Sequence, residues 1–288
     1  MATPNAPDLA CVTCPMCHGD AHTVAHEFLP YKVVRCRSCD LHYLSPRLSE
    51  TAMQRIYEDD SYFEDGEVGY TSYLEQEASL RYSFGTFLRQ LQNRSLTGGD
   101  LLEVGCGHGF FLESARPYFQ RCVGVDFSPA VVASARSRAT QVYQGGIESI
   151  PRSETYDCIV LISVIEHVHE PVDFLRTLRT HLRPSGRLIV ATPDVSGVFQ
   201  RMLGRRWPAY QVIPEHVAFY NRKTLSSLMT KAGLTRVTAV PYMRAYPAHL
   251  VVEEFNLWPA IMKRLGRRNL VFPGYMVALC GTHASSTG

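Results

Sequence analysis

Leu101-Leu102-Glu103-Val104-Gly105-Cys106-Gly107-His108-Gly109-Phe110-Phe111-Leu112 decides how the rest of this 288-residue sequence reads. It has the form of a buried β-strand that runs into a glycine turn and then a helix. Glycines at alternate positions leave bare backbone, which permits φ > 0 and lets a ligand approach the main chain closely. The dinucleotide fingerprint is spaced differently, as G-x-G-x-x-G, with a pyrophosphate at the helix N-terminus. Here Glu103 precedes glycines at 105, 107 and 109, a spacing that disfavours an NAD-dependent dehydrogenase.

This acid-x-G-x-G-x-G pattern resembles the first motif of the class I S-adenosylmethionine (SAM) dependent methyltransferases. The resemblance implies an α/β, Rossmann-like, doubly wound sheet of seven strands. It also implies a ligand without phosphate, whose zwitterionic methionine end suits an acid beside exposed amides. Glu103, Gly105, Gly107 and Gly109 are then expected to hold SAM. Cys122-Val123-Gly124-Val125-Asp126 reads as a second strand ending in an acid, 23 residues after Glu103. An acid at that place in a βαβ unit accepts hydrogen bonds from ribose hydroxyls. Phe127 beside it is placed to pack on an adenine face. Ser128-Pro129 supplies an N-cap and a first-turn proline for a helix through Ala139. In the loop after the third strand, Val142–Gln144, Glu148 matches the family position that faces the adenine amino group.

Tyr156 to Ser163 is a near-continuous apolar run, as in a buried parallel strand. Ser163 at its end, with Tyr73 from an earlier tyrosine-rich segment, completes the expected cofactor-binding set. The run leads into Glu166-His167-Val168 and a helix with Phe174, Leu175, Leu178 and Leu182 at helical spacing. Arg183 to Gly186 then turns into a fifth strand, Arg187–Thr192. The Glu-His-Val and Leu-x-Pro-x-Gly signatures resemble the same family. Ligands of doubly wound sheets bind at the carboxyl ends of the strands, which brings Glu166, His167 and His169 close to the expected site. His167 has the chemistry of a general base; equally, Glu166-His167 can pin the helix start.

Beyond the fifth strand the resemblance narrows. Thr192-Pro193-Asp194, Ser196, Arg201, Gly204 to Trp207, Pro214-Glu215-His216-Val217, Phe219-Tyr220, Lys223 to Leu225 and Ala232 to Leu234 resemble a bacterial subgroup. That subgroup joins a zinc-ribbon start to a SAM domain and occurs with sugar, lipopolysaccharide and secondary-metabolite pathways. The resemblance covers residues 14 to 240. Larger relatives that C-methylate deoxysugars carry an extra carboxyl-terminal domain, for which this chain is too short. His216 is the second base candidate, a structural histidine being the alternative.

The amino-terminal module carries a different signal. Cys14-Pro15-Met16-Cys17 and Cys36-Arg37-Ser38-Cys39 are C-x₂-C knuckles with 18 residues between them. Cys14, Cys17, Cys36 and Cys39 can close a tetrahedral structural zinc site with no open position for catalysis. A segment this short has too little core to hold itself without a metal. Cys11 and Cys14 form a competing C-x₂-C pair, but the turn in Pro-x-Cys-His-Gly favours Cys14 with Cys17.

Nine cysteines, clustered toward the start, fit metal ligation in a reducing cytosol better than a disulfide framework. A 45% hydrophobic content supports a packed core, and no apolar run is long enough to span a membrane. A cytoplasmic, soluble enzyme is expected, either monomer or homodimer. The boundaries read as a ribbon module over 1–45, a helical lid and linker over 46–97, and the SAM domain over 98–288. Within the lid, Tyr57, Tyr62, Phe63, Tyr70 and Tyr73 precede a helix from about Leu74 to Gln92, and suit either packing or a flap over the cofactor. An insertion at about 241–272 includes a helix reading from Tyr246 to Leu265 and lies before the last strand, Tyr275–Cys280. Its aromatic residues suit an apolar or aromatic acceptor.

These features point to methyl transfer onto the oxygen or carbon of a small molecule. Two alternatives remain in view, a ribosomal-RNA methyltransferase with a zinc ribbon and a non-catalytic SAM-binding or interaction protein. A nucleic-acid partner is disfavoured by a net charge of +2 and by a ribbon with five acids against four basic residues.

Overall fold

The computed structural model describes residues 9–53, 74–248 and 268–283. The chain begins with short antiparallel strands: β1 (Leu9–Ala10), β2 (His22–Phe28), β3 (Tyr31–Cys36), β4 (His42–Leu44) and β5 (Arg47–Leu48). The cysteine knuckles lie before β2 and between β3 and β4. Each closes through the amide four residues beyond its first cysteine, His18 N to the Cys14 carbonyl at 2.8 Å and Asp40 N to the Cys36 carbonyl at 3.1 Å. His18 and Asp40 hold left-handed φ values of 59° and 66°, which complete the two tight turns.

Helix α1 (Glu77–Gln92) follows. Its buried Leu80, Phe84, Phe87, Leu88 and Leu91 recur at three- and four-residue spacing and form one apolar stripe against the main core. The expected tyrosine flap, Tyr73 included, lies outside the described residues.

The main domain then alternates β6 (Asp100–Val104), α2 (Phe110–Ala115), β7 (Arg121–Asp126), α3 (Pro129–Ala135), β8 (Gln141–Gln144), β9 (Tyr156–Ile162), α4 (Pro171–Thr180) and β10 (Leu182–Pro193). After these come α5 (Val198–Leu203), α6 (Pro208–Gln211), β11 (Ala218–Phe219), α7 (Arg222–Lys231), β12 (Leu234–Ala239), β13 (Met243–Pro247), β14 (Asn269–Pro273) and β15 (Met276–His283). Seven strands form one sheet in the order β12-β15-β10-β9-β6-β7-β8. β6, β7, β8, β9 and β10 run parallel, and β15 enters antiparallel between β10 and β12. This is the expected Rossmann-like sheet. Successive residues of β6, β9 and β10 point to opposite faces, so Leu101 and Val160 pack into one apolar cluster while Leu102 and Leu161 pack into the other.

Several local readings shift. The turn expected at Arg183 to Gly186 lies inside β10, where the register against β9 jumps between Leu182 and Arg187 and Ser185 takes φ 64°. The helix after Asp126 ends at Ala135, not at Ala139. The helix reading that began at Tyr246 gives way to a strand through Pro247, because β13 pairs with β14 from Met243↔Pro273 to Pro247↔Asn269. Residues 249–267, the centre of the insertion, lie outside the described residues. The hairpin itself rests on α1, where Ser83 Oγ accepts the Ala245 amide at 2.8 Å and Gln76 Oε1 accepts Arg244 at 3.1 Å.

The amino-terminal sheet is not closed within itself. Its order is β11-β4-β3-β2, and β11 comes from the far end of the main domain. Ala218 and Phe219 pair with Tyr43 and His42, and Lys223 reaches Asp40 at 2.8 Å. β4 would otherwise present an open edge; β11 covers it, which removes an edge available for unwanted pairing.

Candidate active site

The glycine loop leaves β6 with Gly105, Gly107 and Gly109 at φ 70°, 50° and 78°, all in the left-handed region that an L side chain enters only with strain. Gly109 is the N-cap of α2. On β7 beneath, a Cβ at Gly124 would lie 2.7 Å from Cys106 Sγ and 2.8 Å from Leu112 Cδ1, so the loop and helix pack directly on that strand. Asp126 at the end of β7 receives the Gly107 amide on Oδ2 at 2.8 Å and the Ser128 amide on Oδ1 at 3.1 Å. Burial raises its pKa, against the pull of the Gly107, Ser128 and Phe127 amides. The carboxylate and the loop are thereby fixed to each other.

The other expected cofactor residues sit around this pair. Phe127 is 61% exposed, an aromatic face open to solvent beside Asp126. Glu148 is exposed and accepts its own loop amide, Gly146 N, at 2.9 Å. Glu103 is buried beneath the loop; burial, and secondarily Asp126, hold its carboxyl well above the usual range. Its Oε2 has no hydrogen-bond partner among the described residues. Ser163 directly follows β9 with φ 56°, its amide given to the Ala191 carbonyl.

At the carboxyl ends of β9 and β10, the neighbouring Glu166 and His167 meet His216 from a distant part of the chain. The acceptor atoms of Glu166, His167 and His216 all lie within 4.8 Å of one another. The rings of His167 and His216 meet edge to face, with centroids 4.7 Å apart. Glu166 is 1% exposed; its Oε2 accepts Thr192 Oγ1 from β10 at 2.8 Å, and its Oε1 is buried with no partner among the described residues. His216 Nδ1 lies 2.8 Å from the Ala209 carbonyl. Burial pushes the Glu166 carboxyl up to about 7 and the His216 imidazole down to about 4; burial and His216 together lower His167 well below its ordinary value. Neutral imidazoles therefore stand beside a carboxyl that titrates near neutrality.

His169 stays apart from this group. It holds the Leu48 carbonyl with Nε2 at 3.0 Å, and its own carbonyl accepts Arg47, so it fastens the amino-terminal module to the main domain. Arg47 and Thr192 carry weight that sequence reasoning missed. Arg47 read as one more surface charge, and only its burial reveals it; Thr192 stood within a recognised motif without a role.

Cys14, Cys17, Cys36 and Cys39 converge, with all four sulfurs within 4.8 Å of one another and the Cys14–Cys39 and Cys17–Cys36 pairs each at 3.5 Å. Cys11 is exposed and lies outside this group.

A family profile described as a methyltransferase domain matches residues 73–239, more than half of the chain. The chain belongs to the methyltransferase domain family. Among curated proteins this methyltransferase is 30% identical over 123 residues to the mitochondrial ubiquinone biosynthesis O-methyltransferase of Schizosaccharomyces pombe, covering 40% of this chain and 44% of that one. It is 32% identical over 144 residues to a probable S-adenosylmethionine-dependent methyltransferase of Mycobacterium tuberculosis, covering 49% and 50%. A tRNA U34 carboxymethyltransferase of Pseudoalteromonas translucida is 29% identical over 110 residues, covering 35% and 34%. The matches thus span about half or less of these relatives. Among solved structures, a SAM-dependent methyltransferase of Thermotoga maritima superposes with a TM-score of 0.54 at 22% identity, covering 73% of this chain and 94% of that one. The magnesium protoporphyrin IX methyltransferase of Synechocystis does so with 0.51 at 12%, covering 82% and 100%. The fold is the Rossmann-like methyltransferase fold. Among the described residues no helix is long and apolar enough to cross a membrane.

Proposed function

We propose that this methyltransferase transfers the methyl group of SAM to an oxygen or carbon of a small molecule, with Glu166, His167 and His216 at the acceptor. The observation that carries the reading is the convergence of these three groups beside the glycine loop. A Cβ on Gly105 would lie 2.5 Å from Cγ2 of Val164, two residues before Glu166, so the donor loop and the turn that bears the acid are in contact. Methyl transfer from a sulfonium is an in-line displacement at carbon, and the protein's task is mainly to align donor and acceptor. A hydroxyl or an acidic carbon must also lose a proton. The neutral imidazole of His167 or His216 accepts it, and the Glu166 carboxylate beside them favours the resulting cation.

The donor is held by the Gly105–Gly109 loop and by Asp126 at the ribose, with Phe127 against the adenine, Glu148 toward its amino group, and Glu103, Ser163 and Tyr73 around the same ligand. The four cysteines fit a structural zinc ion, since four converging sulfurs complete a tetrahedral set and leave no position for substrate. They support membership of the zinc-ribbon subgroup, whose motifs suggest a sugar or secondary-metabolite acceptor.

The test is methyl transfer from labelled SAM to phenolic, enolic and sugar-derived acceptors, run beside a short RNA hairpin. Label in a small-molecule pool supports the reading. Label in RNA alone, or SAM bound without transfer to any pool, replaces it with the nucleic-acid enzyme or with a binding protein.

A further inference from the structure

The triad of Glu166, His167 and His216 has more order than a proton acceptor needs. Each member is fastened by a hydrogen bond from outside the group. Glu166 is anchored through Oε2 by Thr192 Oγ1 while Oε1 stays buried without a partner among the described residues. His216 is anchored through Nδ1 by the Ala209 carbonyl. A carbonyl can only accept, so Nδ1 carries the proton and Nε2 keeps its lone pair. The backbone of Glu215 hydrogen-bonds His167. An imidazole fixed by a backbone carbonyl through one nitrogen is the arrangement that orients histidine ligands of metals.

We infer that Glu166, His167 and His216 form a binding site for a divalent transition-metal cation, separate from the four-cysteine cluster. Two nitrogens and one carboxylate oxygen within 4.8 Å of one another form an N₂O donor set. Ligand atoms about 2.1 Å from a common ion lie at most about 4.2 Å apart, so a side-chain adjustment of a few tenths of an ångström closes the site. Two imidazoles and one carboxylate suit manganese, iron, cobalt or zinc, whereas magnesium and calcium favour oxygen ligands throughout. Glu166 Oε1, buried with no hydrogen-bond partner among the described residues, is an acceptor that an ion would satisfy.

Three protein ligands leave positions for an oxygen of the acceptor, which the ion would orient and acidify. His167 and His216 would then serve as ligands, and general-base catalysis by either would fall away. This consequence rests on the acceptor-site reading above; the binding of the ion does not.

The test uses the full-length, zinc-loaded protein, whose thiolates are already occupied, titrated with Co²⁺ in the absence of SAM and of any acceptor. Uptake of one equivalent per chain is expected, with visible d–d absorption and without a sulfur-to-metal charge-transfer band. Glu166→Gln and His216→Gln are expected to weaken that uptake at least tenfold while the tetrathiolate zinc stays bound. Should either variant misfold, paramagnetic broadening of the His167 and His216 ring signals in the wild-type protein gives the same answer. No Co²⁺ uptake by folded wild type, uptake unchanged in folded variants, or broadening elsewhere only would overturn the site and leave a shared proton among the three groups. SAM titration is a separate readout, so failure of the metal site and failure of the methyltransferase reading are told apart.

Discussion

Gly105 and Val164 touch across the junction between β6 and β9, so that a single added methyl at Gly105 would fall 2.5 Å from Val164 Cγ2. The contact joins the donor loop to the turn Ile165–His167. The proposed donor and acceptor residues thereby follow two adjacent parallel strands, at the carboxyl end where such sheets hold their ligands. Gly105→Ala adds both a clash and a strained φ of 70°, and one or the other must relax. A stability loss of about 1–3 kcal/mol is expected from the backbone strain, with SAM affinity reduced at least tenfold. Thermal melting and calorimetric titration measure the two effects; a variant that binds SAM as wild type would remove the loop from the donor site.

Asp126 carries two backbone amides as well as its proposed ribose role. Asp126→Ala is therefore expected to lose SAM binding more than tenfold, and Asp126→Asn, which keeps one acceptor oxygen, to lose less. Equal affinity in wild type and alanine variant would refute the ribose assignment.

The ribbon grips the acceptor site through Val217. The Leu44 amide donates to the Val217 carbonyl at 2.9 Å, and the Val217 amide donates to the Glu166 carbonyl at 2.8 Å. Removing zinc with a chelator, or replacing Cys39 with serine, should loosen β4 and with it the segment bearing His216. The expected result is a melting point lower by several degrees and turnover reduced at least tenfold, with SAM affinity within threefold of wild type. Unchanged turnover in metal-free protein would show the ribbon to be independent of the site.

His42, on β4 beside β11, has its pKa lowered to about 4, by burial first and then by Arg35 and His26, against an opposing effect of Asp40. A histidine with a depressed folded-state pKa takes up protons more readily when unfolded. Its neutral form therefore supports the fold above about 6.5, and that support fades as the pH falls toward 4, by at most about 3 kcal/mol. His42→Gln should flatten the stability profile over that window, as denaturant titration at pH 7, 5.5 and 4.5 would measure. Parallel profiles for the two proteins would discount the effect.

The α7 helix starts with a reciprocal cap, Asn221 Oδ1 accepting the Thr224 amide while Thr224 Oγ1 accepts the Asn221 amide, both at 3.0 Å. Asn221→Ala is expected to cost about 1 kcal/mol of stability without altering SAM affinity. A calorimetric melt checks the first and a titration the second.

Much of this molecule was legible along the chain because its signals are local. A strand ending in an acid, three glycines at alternate positions and a second acid 23 residues later depend only on neighbours in one βαβ unit. The two cysteine knuckles are likewise set by spacing, and the structure gathers the same four sulfurs that the turn chemistry favoured. What the sequence left open lay at long range. Nothing near residue 217 announces that β11 will complete the sheet of the amino-terminal module; an unpaired β4 edge and the burial of Tyr43, Ala218 and Tyr220 decide it. Nor could spacing tell whether His167 and His216 were bases or structural residues. Their meeting with Glu166 depends on β9, β10 and the ribbon packing together, and low-dielectric burial then shifts all three groups toward neutrality. The sequence by itself determined the donor loop and the cysteine set, because backbone conformation and ligand spacing are local. Tertiary structure alone decided the acceptor cluster, because its charge state and geometry arise from segments that meet only when the core excludes water.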